Sequence, residues 1–160
     1  MLRNMTSVYI INDNKILLLY RIGSKVVQPS WCGIGGHFEK DELNDPKACA
    51  LRELFEETGI RESDIEKLEL RYITLRKKND EIRQNYYYFA KLHNTAVDIS
   101  TCNEGILEWI DIDQVLNKIM PFSAKECLKH YLFLGKNDNN LYAGIATSNG
   151  VDFKVLQEFS

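Results

Sequence analysis

One segment of this chain carries signals for both of its own ends. Asp45-Pro46 opens it, since an aspartate accepts bonds from the orphan N–H groups of a first helical turn and a proline fits the first helical position. Gly59 closes it, because glycine readily takes the left-handed conformation that stops a helix. The signals predict a helix over 46–58. A bounded helix between stretches of β-type sequence restricts the fold to a sheet covered by helices.

The flanking segments read accordingly. Ser7–Ile11 is β-branched and aromatic, and Asn12–Lys15 is a turn. Ile16–Tyr20 is apolar nearly throughout, the pattern of a strand buried on both faces. Arg21–Ser30 is a polar loop, and Gly33–Phe38 a glycine-rich extended stretch. Lys67–Arg76 and Ile82–Leu92 read as strands around the turn Lys77–Asp80, and Ile106–Ile110 as another strand. Asp111–Ile119 reads as a short helix ended by Pro121. Ser123-Ala124-Lys125-Glu126 has capping-box spacing and opens a helix to about Leu134. Asn149-Gly150 marks a hairpin between Leu141–Ala146 and Val151–Leu156. The reading is one α/β domain over 1–160 with a mixed sheet.

Composition excludes several classes. The 160 residues carry a net charge of −3, which argues against a nucleic-acid polymer as partner. No apolar run approaches the ~20 residues of a membrane span. The four cysteines, Cys32, Cys49, Cys102 and Cys127, lack zinc-ligand spacing and read as free thiols of a cytoplasmic protein.

The helix over 46–58 carries the chemistry. On a helical wheel Ala48, Leu51, Phe55 and Thr58 form one stripe, with Leu54 beside it, expected to be the buried side. Arg52, Glu53, Glu56 and Glu57 share the opposite face. Most charge runs on helices are solvated faces. Here, however, like charges one turn apart destabilise the helix, and the negative end of its dipole disfavours carboxylates in that half. A bound divalent cation removes both penalties, and oxygen ligands on one rigid face suit Mg²⁺. Gly33, Gly35 and Gly36 let backbone approach a ligand closely, and a free carbonyl can join the metal shell. Taken alone, without the helix, these glycines read rather as a bulge or bend in a strand.

Read together, Gly36 to Glu42, then nine residues, then Arg52-Glu53-Leu54-Phe55-Glu56-Glu57-Thr58-Gly59-Ile60 resemble the Nudix box. The family pattern has seven residues in the middle gap, so Leu43-Asn44 reads as an insertion before the helix cap. The segment Asn103–Asp111 and the order of strands resemble the MutT/8-oxo-dGTP diphosphatase branch. The resemblance implies a Nudix α/β/α sandwich with the box as a loop–helix–loop. It implies Mg²⁺, with Mn²⁺ as an alternative, on Glu53, Glu56, Glu57 and the carbonyl of Gly35. Glu104 would add a ligand or the base that orients water, and Glu53, Glu56 and Glu104 would be catalytic. Arg52 would hold the glutamates by ion pairing, with Glu42 as its partner.

The reaction implied is hydrolysis of a diphosphate linkage in a nucleoside triphosphate to the monophosphate and pyrophosphate, by a monomer or homodimer. An oxidised purine such as 8-oxo-dGTP is one candidate substrate. Cys32 and Phe122-Ser123 stand where members that read oxidised purines often carry asparagine and an aspartate pair, which argues against that base. Arg21 and His37 are candidates for phosphate or ribose contacts. Tyr86, Tyr87, Tyr88, Trp109, Met120 and Phe122 are candidates to stack on a base, with Phe122 foremost and core packing the alternative for at least half. Two rivals remain: a hydrolase of another nucleoside diphosphate derivative, ADP-ribose or a dinucleoside polyphosphate, and a catalytically silent Nudix-like binding module. The second would lose box glutamates, and this chain keeps them.

Overall fold

A computed structural model describes residues 1–23, 28–99 and 102–159. Positions 24–27 of the expected Arg21–Ser30 loop lie outside the described residues. The strands are β1 (Leu2–Asn12), β2 (Lys15–Arg21), β3 (Ser30–Cys32), β4 (Glu69–Lys78), β5 (Glu81–Lys91), β6 (Gly105–Asp111), β7 (Tyr142–Thr147) and β8 (Gly150–Val155). The helices are α1 (Pro46–Thr58) and α2 (Phe122–Phe133). One mixed sheet runs β3-β2-β1-β5-β4-β7-β8, with β6 on the other edge of β2. Helices cover both faces, giving the α/β/α sandwich that the resemblance implies. Among the described residues no helix is long and apolar enough to cross a membrane.

Strand alternation divides the core in two. Tyr9, Tyr72, Tyr87 and Phe89 face α2 and pack with Ala124, Cys127 and Leu128. Val8, Ile10, Tyr88 and Ala90 face α1 and pack with Ala50, Leu54 and Ile60. Ile16 to Leu19 of β2 are all 0% exposed and divide between the two clusters, as their unbroken apolar run requires. Truncating Leu54 to alanine removes a fully buried side chain, a change worth about 2–5 kcal/mol.

The feature that builds the site is a split between β1 and β2. They pair only beside their turn, at Ile11↔Ile16 and Asn12↔Lys15. Beyond it β2 pairs with β3 and β6, and the glycine-rich stretch takes its place along β1. Thr6 N donates to Gly36 O at 2.9 Å, and Val8 and Ile34 exchange bonds of 2.6 and 3.0 Å. Gly35 lies so close to β1 that a side chain there would collide with the Thr6 carbonyl.

α1 has the expected ends. Asp45 Oδ1 accepts from Ala48 N at 3.0 Å, and Gly59, at φ 76°, donates to Phe55 O at 2.8 Å. Its buried face differs from the wheel reading. Ala50, Leu54, Glu57 and Thr58 are buried, whereas Phe55 is 47% exposed and stacks under the Arg61 guanidinium. The helix is turned so that the Glu57 carboxylate, rather than the Phe55 ring, points inward to partners described below.

Two other expectations change. Within Asp111–Ile119 only Val115–Asn117 is helical, as a short 3-10 turn. Lys118 is extended, Ile119 O accepts from Trp31 N at 2.8 Å, and Pro121 disfavours helix at Met120. α2 starts at Phe122 with Pro121 in the capping position, so the Ser123 capping box does not form. Ser123 lies inside the first turn with its Oγ buried and without a hydrogen-bond partner among the described residues.

A bulge in β4 between Leu70 and Tyr72 leaves Arg71 out of the ladder. Its guanidinium is buried against the carbonyls of Gly135, Asp138 and Asn140 at 2.6–2.9 Å and Asp138 Oδ1 at 3.0 Å. This ties β4 to the chain leaving α2.

Candidate active site

α1 ends its last two turns beside the glycine-rich stretch, and its charged residues converge on two arginines. Arg52 is the hub of the first group. Its Nε donates to Glu42 Oε1 at 2.6 Å and its Nη2 to Glu42 Oε2 at 3.0 Å, a bidentate pair. The remaining donors reach Glu53 Oε1 at 2.9 Å, Glu56 Oε2 at 3.1 Å and His37 O at 3.1 Å. Glu42 sits at the end of a 3-10 turn, where its Oε2 also accepts from Glu39 N at 2.9 Å. Leu43 and Asn44 lie exposed, so the two extra residues are accommodated on the surface and leave the Glu42–Arg52 pair intact.

Arg21 is the hub of the second group. Its Nη2 donates to Gly35 O at 2.6 Å and Glu57 Oε1 at 2.9 Å, and its Nη1 lies 3.2 Å from Glu104 Oε2. The ladder explains the juxtaposition: Arg21 at the end of β2 pairs with Gly105 at the start of β6, which sets Glu104 next to it. Glu57 is 4% exposed, and its second oxygen accepts from Gly35 N at 3.1 Å. Gly36 faces Glu53, where an added Cβ would stand 2.5 Å from Oε1.

The electrostatics follow from this crowding. Burial pushes the Glu57 carboxyl up to about 8, against the pull of Arg21 and with further upward push from Glu104 and Glu53. Glu53 is raised by burial too, although its bond from Arg52 opposes the shift. Glu42 goes the other way: the Arg52 hydrogen bond holds it at about 2. Partial burial, with Arg3, Arg21 and Arg83, holds the His37 imidazole below its ordinary value.

Among the described residues no three His, Cys, Asp or Glu side chains close on one point as metal ligands. The carboxylates close on guanidinium groups instead. Gly35 O, Glu57 and Glu104 surround the Arg21 cation, and this set of hard oxygen donors suits Mg²⁺.

Beside this group opens a cleft of about 310 Å³, lined by Arg21, Gly35, Gly36, His37, Ser123 and the outer parts of β1, β4 and β5. Phe122 is not among its lining residues and is 44% exposed; Ser123 and Ala124 line it in that turn of α2. Tyr87, Tyr88 and Met120 are buried core residues, of which only Tyr87 touches the cleft. Tyr86 and Trp109 pack against the core under α1. The cleft also takes in Thr74, Arg76, Arg83 and Asn85, which the sequence reading did not single out. Alternation sets 74 and 76, and 83 and 85, on common faces, but only the pairing of β4 with β5 brings them together.

Carboxylates gathered beside a cleft lined by Arg21, Arg76 and Arg83 suit work on an anionic substrate, and comparison with known proteins supplies the family. The NUDIX domain family model matches residues 1–131, and the chain belongs to the NUDIX family as a Nudix pyrophosphohydrolase. Such hydrolases generally use a divalent metal such as Mg²⁺ and act on small nucleotide substrates. The chain is similar in fold to the mutator MutT protein from Bacillus halodurans, at 23% identity and TM-score 0.68, covering 96% of this chain and 97% of that one. It is similar to a NUDIX hydrolase from Nitrosomonas europaea, at 20% identity and TM-score 0.72 over 90% and 78% of the two chains. It is also similar to a C. elegans Ap4A hydrolase, at 17% identity and TM-score 0.70 over 85% and 99%.

Proposed function

We propose that this chain, as one domain over 1–160, hydrolyses a diphosphate linkage in a nucleoside triphosphate, releasing the monophosphate and pyrophosphate. Glu53, Glu56, Glu57, Glu104 and the carbonyl of Gly35 would hold Mg²⁺. The observation that carries the reading is the gathering of Gly35 O, Glu57 and Glu104 around one cation, Arg21. The free thiols of all four cysteines support a cytoplasmic setting.

The metal, when bound, polarises phosphoryl oxygens and makes water a better nucleophile. The protein's own groups do the rest. Arg52 holds Glu53 and Glu56 on one side of α1, which limits the rearrangement they need to take up a metal. Glu104, 55% exposed beside Arg21, is the group assigned to take the proton of the attacking water as a new P–O bond forms and the bond to the bridging oxygen breaks. Arg21 and His37 line the cleft within reach of the phosphate chain and oppose its charge.

The test is a panel of nucleoside triphosphates, nucleoside diphosphate derivatives and dinucleoside polyphosphates, incubated with Mg²⁺ and with products identified. A nucleoside monophosphate and pyrophosphate from a triphosphate are expected. Cleavage confined to the other classes would move the substrate, and silence across the panel would favour a binding module.

A further inference from the structure

The outer end of the cleft carries a charge arrangement that folding alone does not favour. Arg3 on β1 lies opposite Arg83 on β5, and Arg83 lies opposite Arg76 on β4. Three arginines thus occupy one rung across adjacent strands. Like charges directly opposite each other destabilise a sheet. Glu81 relieves part of the repulsion, at 2.7 Å from Arg3 Nη2 and 2.5 Å from Arg83 Nε. Arg76 has no acidic partner and no hydrogen bond among the described residues, and none of the residues lining the cleft is acidic.

The inner neighbour of this rung is polar as well. Asn85 stands between Met5 and Thr74, with Nδ2 donating to Ser7 Oγ at 3.3 Å. Its Oδ1 is buried with no partner among the described residues, as is Ser123 Oγ across the cleft. Of these two atoms only the Ser123 hydroxyl can donate, so with the donors of Arg76 and Arg83 this end of the cleft suits a ligand rich in acceptor oxygens. The cleft's ~310 Å³ suits a small molecule.

We propose that Arg76 and Arg83 form a second phosphate subsite, so that the nucleotide bound here carries a phosphate monoester in addition to its scissile diphosphate. This rests on the hydrolase reading, which assigns the phosphate chain to the Arg21 end of the same cleft. A phosphate monoester carries about −1.5 to −2 charges at pH 7, which matches two guanidinium groups better than a carboxylate does. Its oxygens also match the arginine fork.

The experiment is calorimetric binding of adenosine 5′-monophosphate and of its 2′,5′- and 3′,5′-bisphosphates, without turnover. The wild type is expected to bind one bisphosphate about tenfold or more tightly than the monophosphate, the scale of a charge-assisted hydrogen-bonded contact. Arg76→Met and Arg83→Met should each bring that preference below about threefold. Arg76→Met should also raise the ligand-free melting temperature, because it relieves the cross-strand repulsion. Equal affinities in the wild type, a preference kept in both variants, or a fall in the melting temperature of Arg76→Met would overturn the proposal. A silent hydrolysis panel would count against the hydrolase reading alone, since binding requires no cleavage.

Discussion

Replacing Glu42 by glutamine keeps the shape of the side chain and removes its charge. Glu42 is 6% exposed and accepts two bonds from Arg52 and one from Glu39 N. The Arg52 bond is the main cause that holds its carboxyl at about 2 rather than 4.5; burial opposes it and the Glu39 N–H assists. At ~1.36 kcal/mol per unit, that difference is worth about 3 kcal/mol of folding stability. In a domain of this size the loss lowers the melting temperature by roughly 6–12 °C. The folded-state value is depressed, so the contribution is complete above the unfolded value near 4.5 and disappears as pH falls towards 2. Urea unfolding of wild type and Glu42→Gln at pH 7 and pH 3 measures both points. The expected gap is about 3 kcal/mol at pH 7 and less than about 2 kcal/mol at pH 3. A gap below ~0.5 kcal/mol at pH 7, the range of ordinary surface substitutions, or an equal gap at both pH values would refute the reasoning.

Further outcomes follow from other parts of the structure. Arg71→Met leaves three carbonyls and Asp138 without their buried partner, so stability should fall by about 3–5 kcal/mol while kcat and KM stay unchanged in the folded fraction; chemical denaturation and steady-state kinetics check this. Gly36→Ala sets a methyl group 2.5 Å from Glu53 Oε1, and a weakened apparent Mg²⁺ affinity should show as a rightward shift in the metal dependence of activity. Phe122→Ala removes a half-exposed ring outside the cleft, so KM should stay within about twofold; a tenfold rise would put the ring on the substrate. Reductant should leave the melting temperature unchanged, because Cys32, Cys49, Cys102 and Cys127 are all free.

Local signals in the sequence carried the helix ends, the hairpin turns and the box. Asp45, Pro46 and Gly59 act through groups at most four residues away, and so they are legible without the fold. What depends on partners distant in sequence was not. The wheel gave α1 an apolar face through Phe55, whereas Glu57 turns inward because Gly35 N and Arg21 await it. Ser123 has capping-box spacing, but Pro121 already caps the helix two residues earlier, and Ser123 lines the cleft from inside the first turn. Arg3, Arg76 and Arg83 are unremarkable in the linear sequence, and only strand register makes them one rung.

Whether the carboxylates of α1 act in hydrolysis through the metal proposed for them is tested most directly at Glu56. It is exposed and bonded only to Arg52 among the described residues, so Glu56→Gln should change stability by less than about 1 kcal/mol. The measurement is kcat of wild type and Glu56→Gln on the best substrate of the panel at saturating Mg²⁺, with melting curves recorded beside it. A fall of about 100-fold or more in kcat with an unchanged melt is expected. Near-wild-type turnover in a folded Glu56→Gln would contradict it.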